Sequence, residues 1–185
     1  MKEAEKKEED AARIMVDWSQ LSHPPSLTEV RLAAQLSWEG HLPSVKRMKL
    51  RNMDLSDINR DHIFKLTSIV TDYVEIGNIT PPPLLDIILE SVRCSVLELL
   101  NMTLTEPQTQ ALLTLLTERL ERVELFDDLN LDIQTLCKYN GRGRCRKLWV
   151  RGDTRRRYGE ILLRWGAEVG WAVRDATVYL IIQRK

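Results

Sequence analysis

The sequence predicts an α/β fold in which about five short parallel strands, each backed by a helix, form a curved sheet. Three observations lead there. Val45-Lys-Arg-Met48-Lys-Leu50, Thr71-Asp-Tyr-Val74-Glu-Ile76, Cys94-Ser-Val-Leu97-Glu-Leu99, Leu120-Glu-Arg-Val123-Glu-Leu125 and Cys145-Arg-Lys-Leu148-Trp-Val150 follow one pattern, apolar-x-x-apolar-x-apolar, with Thr71 in an apolar place. Their first positions are 26, 23, 26 and 25 residues apart, a period that argues for a solenoid of strand-plus-helix units. A helix-like apolar run follows each segment, and 185 residues with 43% apolar content are enough to bury one continuous core. A stack of this kind works through an extended surface and has no buried crevice by default.

Before the first repeat, residues 3–19 mix Glu and Lys and then bring Ile14, Met15, Val16 and Trp18, which predicts a helix with a solvated start and a packed end. His23-Pro24-Pro25-Ser26 breaks it. Thr28 to Trp38 predicts a second helix carrying Val30, Ala33 and Ala34, stopped by Gly40 and Pro43. Together they read as a cap for the first strand of the stack. Each repeat strand is expected to end at a turn residue: Asn52, Asn78, Asn101 or Asp127. Helices are predicted over Arg60–Val70, Leu84–Val92, Pro107–Leu120, Ile133–Tyr139 and Arg157–Val169. Pro81-Pro82-Pro83 blocks any helix before Leu84, and Pro107 sits at a helix start, where its missing N–H costs nothing. Trp171 to Ile182 reads as two strands around a turn at Arg174 to Ala176, leaving Val178 to Ile182 as an apolar sheet edge in need of cover. The organisation is one continuous domain: a helical cap over 1–43, strand–helix units over 44–154, and a closing helix and hairpin over 155–185.

The repeat resembles the leucine-rich-repeat family, in the longer ribonuclease-inhibitor-like type found in the C-terminal parts of NOD-like immune receptors. Met48 and Leu50, Val74 and Ile76, Leu97 and Leu99, Val123 and Leu125, and Leu148 and Val150 carry the likeness, over about 110 residues from Val45 to Asp153. The unit from Cys94 to Leu120 matches best, with Leu104 and Ala111-Leu-Leu-Thr-Leu-Leu also in place. The family's ladder asparagine is implied at positions 53, 79, 102, 128 and 153. Those positions hold Met53, Ile79, Met102, Asp128 and Asp153, while Asn52, Asn78 and Asn101 stand one residue earlier. Either the turn is built differently or the register shifts by one, which marks a divergent member. The resemblance implies protein–protein recognition and brings no catalytic residue.

Charge excludes little overall, since 27 basic residues balance 27 acidic ones. The distribution is uneven: residues 136–185 hold 13 basic residues against four acidic ones, near +9, leaving the rest near −9. Cys94, Cys137 and Cys145 form no Cys-x-x-Cys pair, and their odd number fits a reducing compartment. Eight of the first ten residues are charged, so no secretory leader is predicted, and no run of 18 apolar residues suggests a membrane span. A soluble cytoplasmic protein follows, in which the sequons at Asn78 and Asn101 stay unmodified.

Two surfaces are candidates for binding. Strand alternation puts Lys49, Glu75, Glu98, Glu124 and Trp149 in one column on the concave face, flanked by Arg47, Tyr73, Val96, Arg122 and Lys147 and by Arg51, Gly77, Leu100, Phe126 and Arg151. Three stacked glutamates on adjacent strands repel and, unless Arg47, Lys49 and Arg122 screen them, favour a basic partner, and Tyr73, Phe126 and Trp149 are expected to supply exposed aromatic anchors; the plainer reading is a solvated sheet face. The second surface is the basic run of Arg142, Arg144, Arg146, Lys147, Arg151, Arg155, Arg156 and Arg157, suited to RNA or DNA phosphates. Its plainer reading is arginines paired with the acidic part of the chain.

Catalysis finds no support. His23, His41 and His62 are scattered without metal-ligand spacing, and no phosphate-binding, dinucleotide-binding or nucleophile-elbow motif occurs. Asp127, Asp128 and Asp132 fall at a turn, where acidic residues commonly cap the next helix. No cofactor and no metal are expected. The predicted function is a protein-binding scaffold acting through the concave face, and nucleic-acid binding through the arginine run is the competing reading.

Overall fold

The computed structural model describes residues 30–32, 45–54, 60–67, 70–80, 83–176 and 178–185. The rest of the predicted cap over 1–43, Trp38 included, lies outside the described residues. Among the described residues eight strands form a single sheet: β1 (Val30–Leu32), β2 (Val45–Asp54), β3 (Val70–Thr80), β4 (Arg93–Thr103), β5 (Arg122–Asn130), β6 (Lys147–Arg151), β7 (Ala172–Asp175) and β8 (Tyr179–Gln183). Their order is β1-β2-β3-β4-β5-β6-β8-β7. The first six run parallel in chain order, and β8 and β7 close the sheet antiparallel. The described helices are α1 (Arg60–Thr67), α2 (Leu84–Ser91), α3 (Glu106–Glu118), α4 (Ile133–Leu136) and α5 (Gly152–Glu168). The fold is therefore mixed α/β. α1 packs on α2, α2 on α3 and α3 on α4, while α5 lies against β5, β6, β7 and β8.

Alternation along the strands divides the sheet into two faces. Met48, Leu50, Val74, Ile76, Leu97, Leu99, Val123, Leu125, Leu148 and Val150 are all at most 3% exposed. They merge with Leu84, Leu85, Ile88 and Leu89 of α2, Leu112, Leu115 and Leu116 of α3, and Tyr158, Leu162 and Trp165 of α5 in one core. The helix residues recur at the three- and four-residue spacing that turns one stripe inward. α3 starts at a capping box: Thr105 N–H donates to Gln108 Oε1 at 3.0 Å and Gln108 N–H to Thr105 Oγ1 at 3.4 Å. At the far end Trp165 and Trp171 stand 5.6 Å apart, and Trp165 Nε1 donates to Tyr139 O at 2.9 Å.

Several expectations change. Val30–Leu32 belongs to a strand paired with Met48–Leu50, not to a helix over 28–38. The repeat strands do not stop at the Asn and Asp residues. Asn78, Asn101 and Asp127 adopt left-handed φ values of +51°, +49° and +53°, and Gly152 at the matching position has +66°. The chain bends there and goes on pairing, Met53 with Ile79 and, after a register shift, Met102 with Leu129. The bend returns Ile79 and Leu129 to the core. At the predicted ladder positions Ile79 lies in the core and Met102 packs against it, while Asp128 and Asp153 are charged, so the turn is built differently while the column register stands.

The C-terminal hairpin also differs. Its turn lies beyond Asp175, and the apolar strand β8 is not the edge but sits between β6 and β7. Leu180, Ile181 and Ile182 are buried there, leaving the short, partly charged Ala172–Asp175 as the edge, a sequence that resists further strand pairing. α5 begins at Gly152, not Arg157, directly after β6. Thr154, in its first turn, accepts from Leu129 N–H at 3.0 Å and donates to Asp127 O at 2.6 Å, anchoring the helix to β5. The helix therefore bridges the stretches 44–154 and 155–185.

Candidate functional site

The sheet face turned away from the core carries the predicted column. Lys49, Glu75, Glu98, Glu124 and Trp149 are paired side by side across β2 to β6. Adjacent strands lie about 4.8 Å apart, so the three carboxylates are close enough to repel. Their environment offsets this. Arg47 Nη2 and Lys49 Nζ stand 3.8 and 3.6 Å from Glu75 Oε2, and Arg51 pairs with Glu75 Oε1. The Arg51 Nη2 lies 3.8 Å from Glu98 Oε1, and the Tyr73 hydroxyl donates to Glu98. Arg122 Nε is 2.8 Å from Glu124 Oε1.

Arg47, Lys49 and Arg122 thus screen the glutamates, joined by Arg51. Glu75, Glu98 and Glu124 are only 2%, 5% and 4% exposed, because the longer side chains beside them close over the carboxylates. Arg51, by contrast, is 44% exposed. Arg47, Lys49, Arg51, Arg122, Lys147 and Arg151 outnumber the three carboxylates on this face, so it presents positive charge, and the screened glutamates do not favour a basic partner.

Burial pushes the Glu124 carboxyl above its ordinary value of 4.5, Arg122 opposing and the neighbouring Glu98 adding to the rise. Burial likewise raises the Tyr73 phenol, reinforced by its bond to Glu98. A carboxyl whose folded pKa is raised contributes stability that is present below its unfolded pKa and lost as pH rises through the folded value. Glu124→Gln, which keeps an acceptor for Arg122 without the charge, is therefore expected to be more stable than wild type at neutral pH. The gap closes as pH falls toward 4.5. Denaturant unfolding across that range checks it, and a gap independent of pH contradicts it.

The aromatic anchors are placed unequally. Phe126 is buried at 7% exposure, against the expectation, because Arg151 lies over its ring at 4.2 Å and Trp149 packs at 6.4 Å. Tyr73 and Trp149 are half-buried. Arg47 covers Tyr73 at 4.4 Å, Lys147 lies 5.1 Å from Trp149, and the Trp149 Nε1 has no hydrogen-bond partner among the described residues. Tyr179 on β8 extends the cluster, 6.3 Å from Trp149. Sequence reading missed it because it placed β8 at the edge; pairing Trp149 with Ile181 brings Tyr179, two residues away, to the same face.

The basic run does not form one surface. Lys147 and Arg151 belong to the open face, and Arg142, Arg144 and Arg146 to the loop before β6. Arg155, Arg156 and Arg157 lie on α5. Half of the eight are in these ion pairs: Arg144 with Glu121 at 3.3 Å, Arg155 with Asp175 at 2.7 Å, Arg156 with Asp153, and Arg157 with Asp128 at 2.9 Å.

The remaining chemical groups have structural roles. Asp132 caps α4, accepting from Gln134 N–H, Thr135 N–H and the Thr135 hydroxyl, bonds that hold its carboxyl below the usual range. Burial pushes the Cys94 thiol up to about 12 and those of Cys137 and Cys145 to about 11, so all three stay protonated at neutral pH. Among the described residues no helix is long and apolar enough to cross a membrane. Comparison with known proteins returns no match: no protein-family model fits the chain, and no curated protein or solved structure shows significant similarity to it.

Proposed function

We propose that this chain is a non-enzymatic, leucine-rich-repeat-like solenoid that binds a protein partner through the open face of its sheet, in the manner of recognition repeats of NOD-like immune receptors. The observation that carries the reading is the composition of that face: half-buried Tyr73 and Trp149 set among Arg47, Arg51, Lys147 and Arg151, opposite the face that packs on the helices. Tyr, Trp and Arg are the residues enriched at interfaces and their hot spots. The repeat spacing and the sequential parallel order of β1 to β6 support the solenoid. The excess of cations over buried carboxylates favours an acidic partner surface. The three free cysteines fit a reducing compartment, and the cytoplasm is the location taken here.

The test compares crosslinked partners of wild type with those of an Arg51→Ala, Lys147→Ala, Arg151→Ala variant and of an Arg164→Ala control on α5. Loss of partners from the triple variant alone supports the reading; the same partners from all three overturn it. Phe126 is left unchanged because truncating a buried ring perturbs the fold. In parallel, RNA or DNA affinity that falls steeply with salt and collapses on Arg155→Glu, Arg156→Glu, Arg157→Glu replaces protein binding with nucleic-acid binding.

A further inference from the structure

Away from the open face, at the edge where the parallel strands begin and α3 ends, a pocket of about 320 Å³ is lined by Thr71, Arg93, Cys94, Ser95, Arg119 and Arg144. Half of those residues are arginines and none is acidic. From these residues we infer a binding site for a small phosphorylated molecule, a phosphate monoester held by the three guanidinium groups and the Thr71 and Ser95 hydroxyls.

Three observations carry it. Thr71 is 4% exposed, yet its Oγ1 has no hydrogen-bond partner among the described residues. A buried hydroxyl left unpaired is destabilising, and a ligand oxygen that reaches it as the pocket closes removes that cost. Arg119 is fixed in place: its Nη1 donates to Glu90 O at 3.2 Å and Val92 O at 3.3 Å, the carbonyl end of α2, which leaves its Nε and Nη2 donors for a ligand. Arg93 has no ion pair among the described residues, and Arg144 is held only by Glu121, in a pair more than half exposed on both sides that contributes little. The pocket thus combines one immobilised guanidinium with two that can close on a ligand.

The chemistry selects phosphate. Planar guanidinium forks match phosphate oxygens bidentately, and a dianion with three terminal oxygens can engage several forks and a hydroxyl together. The volume falls at the lower end of the range of small-molecule sites, leaving room for an organic group beyond the phosphate. Cys94 takes no nucleophilic part, since burial keeps its thiol protonated.

Calorimetric titration of the full chain at constant ionic strength tests this, with O-phosphoserine, inorganic phosphate and citrate as probes. O-phosphoserine is expected to bind saturably, and Arg93→Ala combined with Arg144→Ala to weaken it about tenfold or more. Thr71→Val separates the site from the fold: the unliganded variant is expected to melt at the same or a higher temperature, because an unpaired buried hydroxyl is gone, while its affinity for O-phosphoserine falls. An Arg51→Ala, Arg151→Ala variant of the open face binds like wild type. The inference is overturned if O-phosphoserine does not saturate, if the Arg93 and Arg144 variant binds equally, or if citrate binds as tightly as the phosphate ester.

Discussion

Leu97→Ala is expected to lower the unfolding free energy by about 3 kcal/mol, while Val96→Ala, one position away on the same strand, costs less than about 1 kcal/mol. Leu97 is fully buried on the central strand β4, between Val74 and Val123, and joins the core that the helices complete. Truncation there removes transfer free energy and leaves a cavity that flanking strands, held by parallel hydrogen bonds on both sides, close only in part. Val96 faces the other way, half-buried beside Tyr73 and Arg122. At about 2–4 °C per kcal/mol for a chain of this size, the melting temperature of Leu97→Ala falls by roughly 6–12 °C. A register slip of one residue exchanges the two faces, so equal costs at positions 96 and 97 contradict the pairing.

The two-faced sheet was legible because alternation and a repeat of near-constant length both leave marks in a linear sequence. Leu97, Leu99 and their counterparts recur in step, and the column from Lys49 to Trp149 follows from them. Burial of the glutamates was not legible. Alternation and the repeat set Arg47, Lys49 and Arg51, about 26 residues earlier, beside Glu75 but do not tell whether those long side chains fold over the carboxylate or extend into solvent. Asn78 and Asn101 read as ends of strands because left-handed Asn residues usually sit in turns; here the bend keeps the chain in the sheet. Periodicity also cannot decide which arm of a hairpin joins its neighbour, so it puts β8 at the edge and leaves Tyr179 out of the site. The pocket at the strand starts draws Thr71, Arg93, Arg119 and Arg144 from separate units, a convergence no local motif encodes.

Gly152→Ala is expected to cost about 3 kcal/mol, more than the same change at the left-handed positions before it. Its φ of +66° alone imposes about 1–2 kcal/mol on a residue with a Cβ. A Cβ there also meets the Asp127 Cα at 2.9 Å, backbone that cannot swing aside because Thr154 ties Asp127 O to the start of α5. Asn101 has the same conformation without being Gly, and its Oδ1 accepts from Asp128 N–H at 3.2 Å, linking the bend of β4 to that of β5. Asn101→Ala thus loses one exposed hydrogen bond and adds left-handed strain, about 1–2 kcal/mol together, whereas Asn101→Gly keeps the conformation and loses only the bond. Denaturant unfolding should rank the variants Gly152→Ala, Asn101→Ala, Asn101→Gly from most to least damaging. If Gly152→Ala proves silent, the last bend is not held against Asp127. If Asn101→Gly is as damaging as Asn101→Ala, the side-chain bond and not the backbone conformation dominates. The predicted order follows from the bends acting as a set: each lets a strand pass its neighbour's bend and return an apolar residue, Ile79 or Leu129, to the core, and the last turns the chain from β6 directly into α5.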